Sequence, residues 1–150
     1  MRKLLINETI KIKEIAALHE NIPLTYDSSY KVTPLDIDLR YESIQLLMKN
    51  KQDQIIILEQ NNKICAYIWY AIDDGIHIKS TFVYPEYRNQ GYAIQLKNFV
   101  ETIAKEQHIG IIYSDVDTRN FPMKQLNERL GYQFKEHSNR MIKIIEVQND

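Results

Sequence analysis

The chain has 150 residues, a formal net charge of −1 and a mean hydropathy of −0.42, which is the size and balance of one domain spanning 1–150. The balanced charge excludes nucleic acid or an acidic membrane surface held through a bulk basic face. The single cysteine, Cys65, excludes an internal disulfide and a cysteine zinc cluster, and the thiol is expected to be buried and inert.

The opening "MRKLLINETI" has an apolar stretch too short for a signal peptide, and no later run approaches a membrane span. A soluble, cytoplasmic protein is expected. Asn7 is placed to cap a helix over about 8–20, with Ile12, Ile15, Ala16 and His19 on one face. The segment "PLTYDSSYKV" reads as a loop. Thr33, Pro34 and Asp36 then form a cap, a proline at the first helical position and a relative of the capping box. Ile37, Tyr41, Ile44 and Met48 make the stripe of a second helix to about residue 50.

The period then changes. The runs 54–60, 64–72 and 76–84, joined by "NNK" and "DDG", read as three antiparallel strands, the middle one covered on both faces. After "VYPEYRNQGYA", residues Tyr92, Leu96, Phe99, Val100 and Ile103 mark a third helix to about 107. A short strand over 110–116, a helix over 120–130 ended by Gly131, and strands over about 132–137 and 139–146 complete the chain. No first strand is evident before the first helix. The order gives a mixed sheet with helices on its faces, of the α/β or α+β class.

A strand that ends at a proline turn and feeds a helix leaves backbone N–H groups exposed at the positive end of the helix dipole. Such a turn binds phosphate if no side chain blocks the approach. Gly91 removes the blocking Cβ, Ala93 keeps the next turn slim, and Arg88 can add charge at the rim. The same glycine could equally be only a flexible residue of the turn.

Arg88-Asn89-Gln90-Gly91-Tyr92-Ala93, preceded by Val83-Tyr84-Pro85, resembles the Q/R-x-x-G-x-G/A element of the GNAT N-acetyltransferase superfamily. Asn120-Phe121-Pro122-Met123 and Asn127 to Tyr132 resemble a second element, N-x-P-M followed by N-x-x-L-G-F/Y. The element order from about 54 to 146 is similar too. The resemblance implies a mostly antiparallel mixed sheet of six or seven strands flanked by four helices, and acetyl-CoA as acetyl donor. It puts the pyrophosphate on amides around Arg88, Asn89, Gln90, Gly91, Tyr92 and Ala93, with pantetheine beside Phe82 and Val83. Asn120, Met123 and Asn127 would complete the cofactor contacts. The N-terminal helices and the loop over 21–33 would wall the acceptor side.

By the same resemblance, acetyl moves to a primary amine of a small molecule or peptide. The amide of Val83 or a neighbour would polarise the thioester carbonyl, and the offset from Val83 puts His77 at the usual position of the base. An imidazole is competent for that role near neutrality, although His77 could instead be a surface residue beside the "DDG" turn. Many family members have a tyrosine acid where this chain has Asn127, which can donate a hydrogen bond but no proton. Tyr113 and Tyr84 are the substitutes nearest in sequence, or else core and rim residues.

Asp27, Asp115 and Asp117 would draw a cationic acceptor, unless they are ordinary solvated acids. Lys97, Lys124 and Arg129 could reach the 3′-phosphate of CoA or simply be exposed helix charges. His108 and His137 lack partners at metal spacing, so no metal is expected. Similar proteins often dimerise. The rival reading, motivated by Asn127, is a catalytically silent acyl-CoA-binding module; a module for another nucleotide at the same turn is a third.

Overall fold

The computed structural model describes residues 1–146, so the last four residues of the expected 1–150 unit lie outside the described residues. Seven strands form one sheet in the order β1-β2-β3-β4-β5-β7-β6. They are β1 (Arg2–Lys3), β2 (Asp53–Gln60), β3 (Lys63–Ile72), β4 (Ile76–Val83), β5 (Ile111–Asp115), β6 (Gln133–Phe134) and β7 (Arg140–Ile144). The helices are α1 (Thr9–Asn21), α2 (Pro34–Lys49), α3 (Tyr92–Glu106) and α4 (Phe121–Arg129).

The edge strand β1 is the element that had no sequence signal. Two residues carry no readable period, and the strand exists because Arg2 and Lys3 pair with Ile57 and Ile56 far along the chain. Asn7 does not cap α1. The cap position falls on Glu8, whose carboxylate accepts the Leu5 N–H at 2.7 Å and also meets the Arg2 guanidinium. The capping box of α2 forms as read: Thr33 Oγ1 accepts from Asp36 N–H at 3.2 Å, and Asp36 accepts from Thr33 N–H at 2.9 Å.

Strands β2 and β3 are apolar over residues 55–58 and 64–70 because both of their faces are covered there. Ile55, Ile57 and Trp69 pack with Ile12, Ile15 and Ile44 of α1 and α2, while Ile56 and Ile68 pack with Leu96 and Val100 of α3. Deep burial of such side chains stabilises by about 2 kcal/mol each.

The centre of the sheet has two irregularities. Between β3 and β4 the register jumps from Tyr70–Ile78 to Trp69–Ser80, so Lys79 is an extra residue, a β-bulge. The bulge breaks the alternation of side chains. Lys79 lies over the Trp69 ring and Ser80 meets the Tyr67 hydroxyl, both on the α1/α2 side. The second irregularity is the β4–β5 pair, the one parallel contact between neighbouring strands in this sheet. It consists of Ile76–Ile112 and His77–Tyr113 alone. Beyond them β4 runs on to Val83 without a neighbour on that side, and β5 pairs instead with β7.

Candidate functional site

The free edge of β4 leads into the turn before α3. A 3₁₀ turn over Pro85–Tyr87 is followed by Asn89 at φ 64° and Gly91 at φ 83°. Gly91 is therefore left-handed, a conformation open to glycine at little cost. No atom of the chain lies within 4 Å of where its Cβ would be. The first intrahelical bond of α3 runs from Gln95 N–H to the Gly91 carbonyl at 2.9 Å, and no side chain caps the helix. The N–H groups of Tyr92, Ala93 and Ile94 thus have no intrahelical partner and open onto free space.

A groove of about 430 Å³ joins that helix start to the parted strands. Its floor is Thr81, Phe82 and Val83, and its far wall is Asn120, Met123 and Leu126 of α4. The combination is an anion cradle continuous with a free strand edge, suited to a ligand with a phosphate end and an amide-bearing arm.

The profile of the Acetyltransferase (GNAT) family matches residues 15–132. The chain belongs to the GNAT acetyltransferase family.

A structure from Staphylococcus aureus assigned to the GNAT acetyltransferases is 35% identical, covering 74% of this chain and 95% of that one, with a TM-score of 0.68. Two more distant structures share the fold. The PaiA N-acetyltransferase of Thermoplasma acidophilum, in complex with coenzyme A, is 19% identical over 95% of this chain and 96% of that one, with a TM-score of 0.76. An aminoglycoside 6′-N-acetyltransferase complexed with coenzyme A is 16% identical over 99% and 98%, with a TM-score of 0.71. None of the curated protein sequences matches this chain.

In this GNAT protein the groove collects most of the residues expected there. Phe82, Val83, Arg88, Asn89, Gly91, Tyr92, Ala93, Asn120 and Met123 all line it, and so does Arg129. Arg88, however, is turned back onto the strand. Its Nε donates to the Val83 carbonyl at 3.0 Å and its guanidinium lies over the Phe82 ring. Gln90 is exposed and does not line the groove. Asn120 Oδ1 caps α4 by accepting from Met123 N–H at 3.4 Å.

Asn127 requires a correction. It is fully buried, its Nδ2 donates to the Met141 sulfur at 3.6 Å, and its Oδ1 has no partner. Leu126 takes the groove side of α4, and one residue of rotation turns Asn127 inward against β7. Tyr113 also lies apart from the groove. Its hydroxyl donates to Asp73 at 2.7 Å, and burial with that bond raises it to about 12. The Tyr84 hydroxyl is likewise engaged, by Glu14 at 2.6 Å. Lys97 is not an exposed helix charge. It is 2% exposed, with Nζ unpartnered 5.5 Å from the centre of the Tyr132 ring, and burial lowers its pKa to about 8. Lys124 lies over the Phe134 ring, and Cys65 is buried as expected.

A second cavity of about 250 Å³ meets the groove at Ile22, Thr81, Asn120 and Met123. A third cavity of about 420 Å³ adjoins it, the two sharing His19, Arg40, Lys79 and Asp115 in their walls. His77 lines the third cavity, not the groove. Its ring stacks on Tyr113 with centroids 4.6 Å apart, and its Nε2 is 3.9 Å from Asp115. Partial burial lowers its pKa, an effect that Asp115 opposes. Both oxygens of Asp115 are held by Arg140, at 2.9 and 3.2 Å. Asp117 lines the second cavity and is paired with Arg119. Asp27 lines none of these cavities; it accepts from Ser29 and sits 3.4 Å from Arg119. A broader cleft of about 620 Å³ lies on the other side of the Pro85–Tyr87 turn, between Glu14 and Tyr84, away from the parted strands.

Sequence reasoning missed His19, Arg40, Lys79 and Thr81. The last two had a signal: Lys79, Ser80 and Thr81 are three consecutive polar residues inside a strand, which breaks the alternation as a bulge does. Among the described residues no cluster of three His, Cys, Asp or Glu side chains is placed to hold a metal, and no helix is long and apolar enough to cross a membrane.

Proposed function

We propose that this GNAT protein transfers the acetyl group of acetyl-CoA to a primary amine of a small molecule or peptide. The observation that carries the reading is the continuity of three features: the free edge of β4 at Thr81–Val83, the open helix start at Gly91, and the second cavity that meets the groove at Thr81. In this reading the N–H groups of Tyr92, Ala93 and Ile94 take the pyrophosphate. The unpaired backbone of Thr81 to Val83 takes the pantetheine amides, and an amide of that segment polarises the thioester carbonyl.

The acceptor enters through the second and third cavities. From its place in the third cavity, His77 accepts through intervening water the proton that the ammonium must lose before its lone pair attacks the carbonyl carbon. Its lowered pKa keeps it neutral and able to do so near pH 7. The carbon–sulfur bond then breaks. With Asn127 buried and the Tyr113 and Tyr84 hydroxyls engaged elsewhere, the thiolate leaves without either tyrosine as acid and takes, through water, the second proton that the acylated nitrogen sheds. The chain from 1 to 150 acts as one acetyltransferase unit.

The test is release of free CoA thiol on incubation with acetyl-CoA and an amine panel, alongside calorimetric titration of acetyl-CoA. Binding with thiol release supports the proposal, and the absence of both sinks it. The buried Asn127 favours one second reading, a silent acyl-CoA-binding module, for which binding would occur with no turnover on any amine.

A further inference from the structure

The third cavity lies at the far end of the acceptor path, and its chemistry differs from a site built for a cation. The carboxylates along the path are each ion-paired, Glu20 with Arg40 through one oxygen among them. Asp115 gives both oxygens to Arg140, and Asp117 gives both to Arg119. Asp53, buried beneath Lys79, accepts from Trp69 Nε1 at 2.6 Å and from Lys79 Nζ at 2.7 Å through one oxygen. Asp27 is outside the path altogether.

The donors, although ion-paired with Glu20 and Asp53, keep N–H groups to spare. Arg40 spends only Nε, which donates to Glu20 at 2.6 Å. Its two Nη atoms have no hydrogen-bond partner among the described residues, and the residue lines both cavities. Lys79 has one of three N–H groups engaged, and the Ser43 hydroxyl, one turn along α2 from Arg40, lines the same cavity with no partner among the described residues. Glu20 bound at Nε restrains the guanidinium and leaves its planar Nη edge free, the edge that recognises an oxyanion through two parallel bonds.

Resting on the acetyl-transfer reading above, we propose that the acceptor is an amine that carries an oxyanion, a carboxylate or a phosphate, held by Arg40 with Lys79 and Ser43 at the end of the path opposite the thioester. An alkylamine leaves these donors without a partner. A diamine sets a second ammonium against Arg40 and Lys79, and the acids close by are already paired.

The experiment compares 4-aminobutyrate and O-phosphoethanolamine with n-butylamine and putrescine, reading kcat/KM from thiol release in the wild type, Arg40→Gln and Arg40→Lys. At least one of the two acids should be favoured over n-butylamine by about 10- to 100-fold, the worth of a charge-assisted hydrogen bond, and the better acid identifies the oxyanion. Arg40→Gln should bring that ratio to within about twofold, and Arg40→Lys should restore part of it. Thermal midpoints confirm that the variants fold, since Arg40 sits on the half-exposed surface of α2. Putrescine or n-butylamine matching or outperforming both acids overturns the proposal, as does discrimination that survives Arg40→Gln.

Failure of acetyl transfer is told apart by calorimetry, with 4-aminobutyrate and O-phosphoethanolamine titrated into the protein with and without CoA. Binding lost in Arg40→Gln supports the oxyanion site even where no amine turns over. The absence of binding together with the absence of turnover overturns it.

Discussion

His77 on β4 and Tyr113 on β5 are the last paired residues of the two parallel strands, and their rings stack with centroids 4.6 Å apart. This pair ends the contact between β4 and β5 and stands where the strands begin to part. It also separates two roles that are close in sequence terms. The imidazole faces the third cavity, while the phenol is drawn away by Asp73.

Replacing His77 by alanine removes the proposed base and leaves the groove intact. Turnover should fall by about 100-fold or more, with acetyl-CoA affinity little changed. Because burial lowers the His77 pKa below its ordinary 6.5, the wild type should lose turnover only as the pH falls below that value. The pH–kcat profile of His77→Ala should lack that acid limb; an unchanged limb assigns the proton transfer to another group.

Tyr113→Phe tests the other member of the pair. Its hydroxyl is held by Asp73 at 2.7 Å and lines none of the three cavities on the reaction path. Turnover should stay within about twofold of wild type, and stability should fall by about 1 kcal/mol for the lost hydrogen bond. A tenfold or larger loss of kcat, about 1.4 kcal/mol in the barrier, would return Tyr113 to the catalytic group.

Gly91 separates backbone strain from ligand contact. At φ 83°, Gly91→Asn and Gly91→Asp should each cost about 1 kcal/mol of stability or less, since both residues tolerate the left-handed region. The added side chain meets open space within the protein, so the difference lies in the ligand. Gly91→Asp sets a carboxylate against the pyrophosphate and should weaken acetyl-CoA binding at least tenfold more than Gly91→Asn, as read by calorimetry. Equal affinities would remove the anion cradle from the account.

Lys97 carries an unpartnered amine into the core. Burial holds its pKa near 8 against 10.5 for a free lysine, and Nζ has no partner. Between those values the unfolded chain binds more protons than the folded one, so stability rises with pH across that window, and the cost is fully present below about pH 8. Lys97→Met should add up to about 3 kcal/mol at pH 7 and abolish the rise. Urea unfolding at pH 7 and pH 9.5 measures both, and a variant less stable than wild type at pH 7 would show that the amine makes a net favourable contact.

The sequence by itself determined the features that depend on neighbours a few residues away. The Thr33–Asp36 capping box, the apolar run of β3 with both faces covered and the glycine before α3 all follow from local backbone demands or from the unbroken apolar pattern within one strand. The helix-start half of the groove was legible for the same reason: helix-terminal N–H groups and a residue without Cβ lie within one turn of each other.

The tertiary structure alone decided the other half. The strand β1 depends on β2 more than fifty residues later. A single residue of helix rotation separates Leu126 in the groove from Asn127 on Met141, and a helix period read from a sequence does not fix rotation to that degree. Lys97 lies buried beside the Tyr132 ring, a contact between distant segments. The second and third cavities join Arg40 of α2, Lys79 of the β4 bulge and Asp115 of β5, brought together only when both helices dock on the sheet. The proposed donor site rests on local geometry and could be read from residues 81–93; the proposed acceptor site rests on packing between segments that the chain separates by tens of residues.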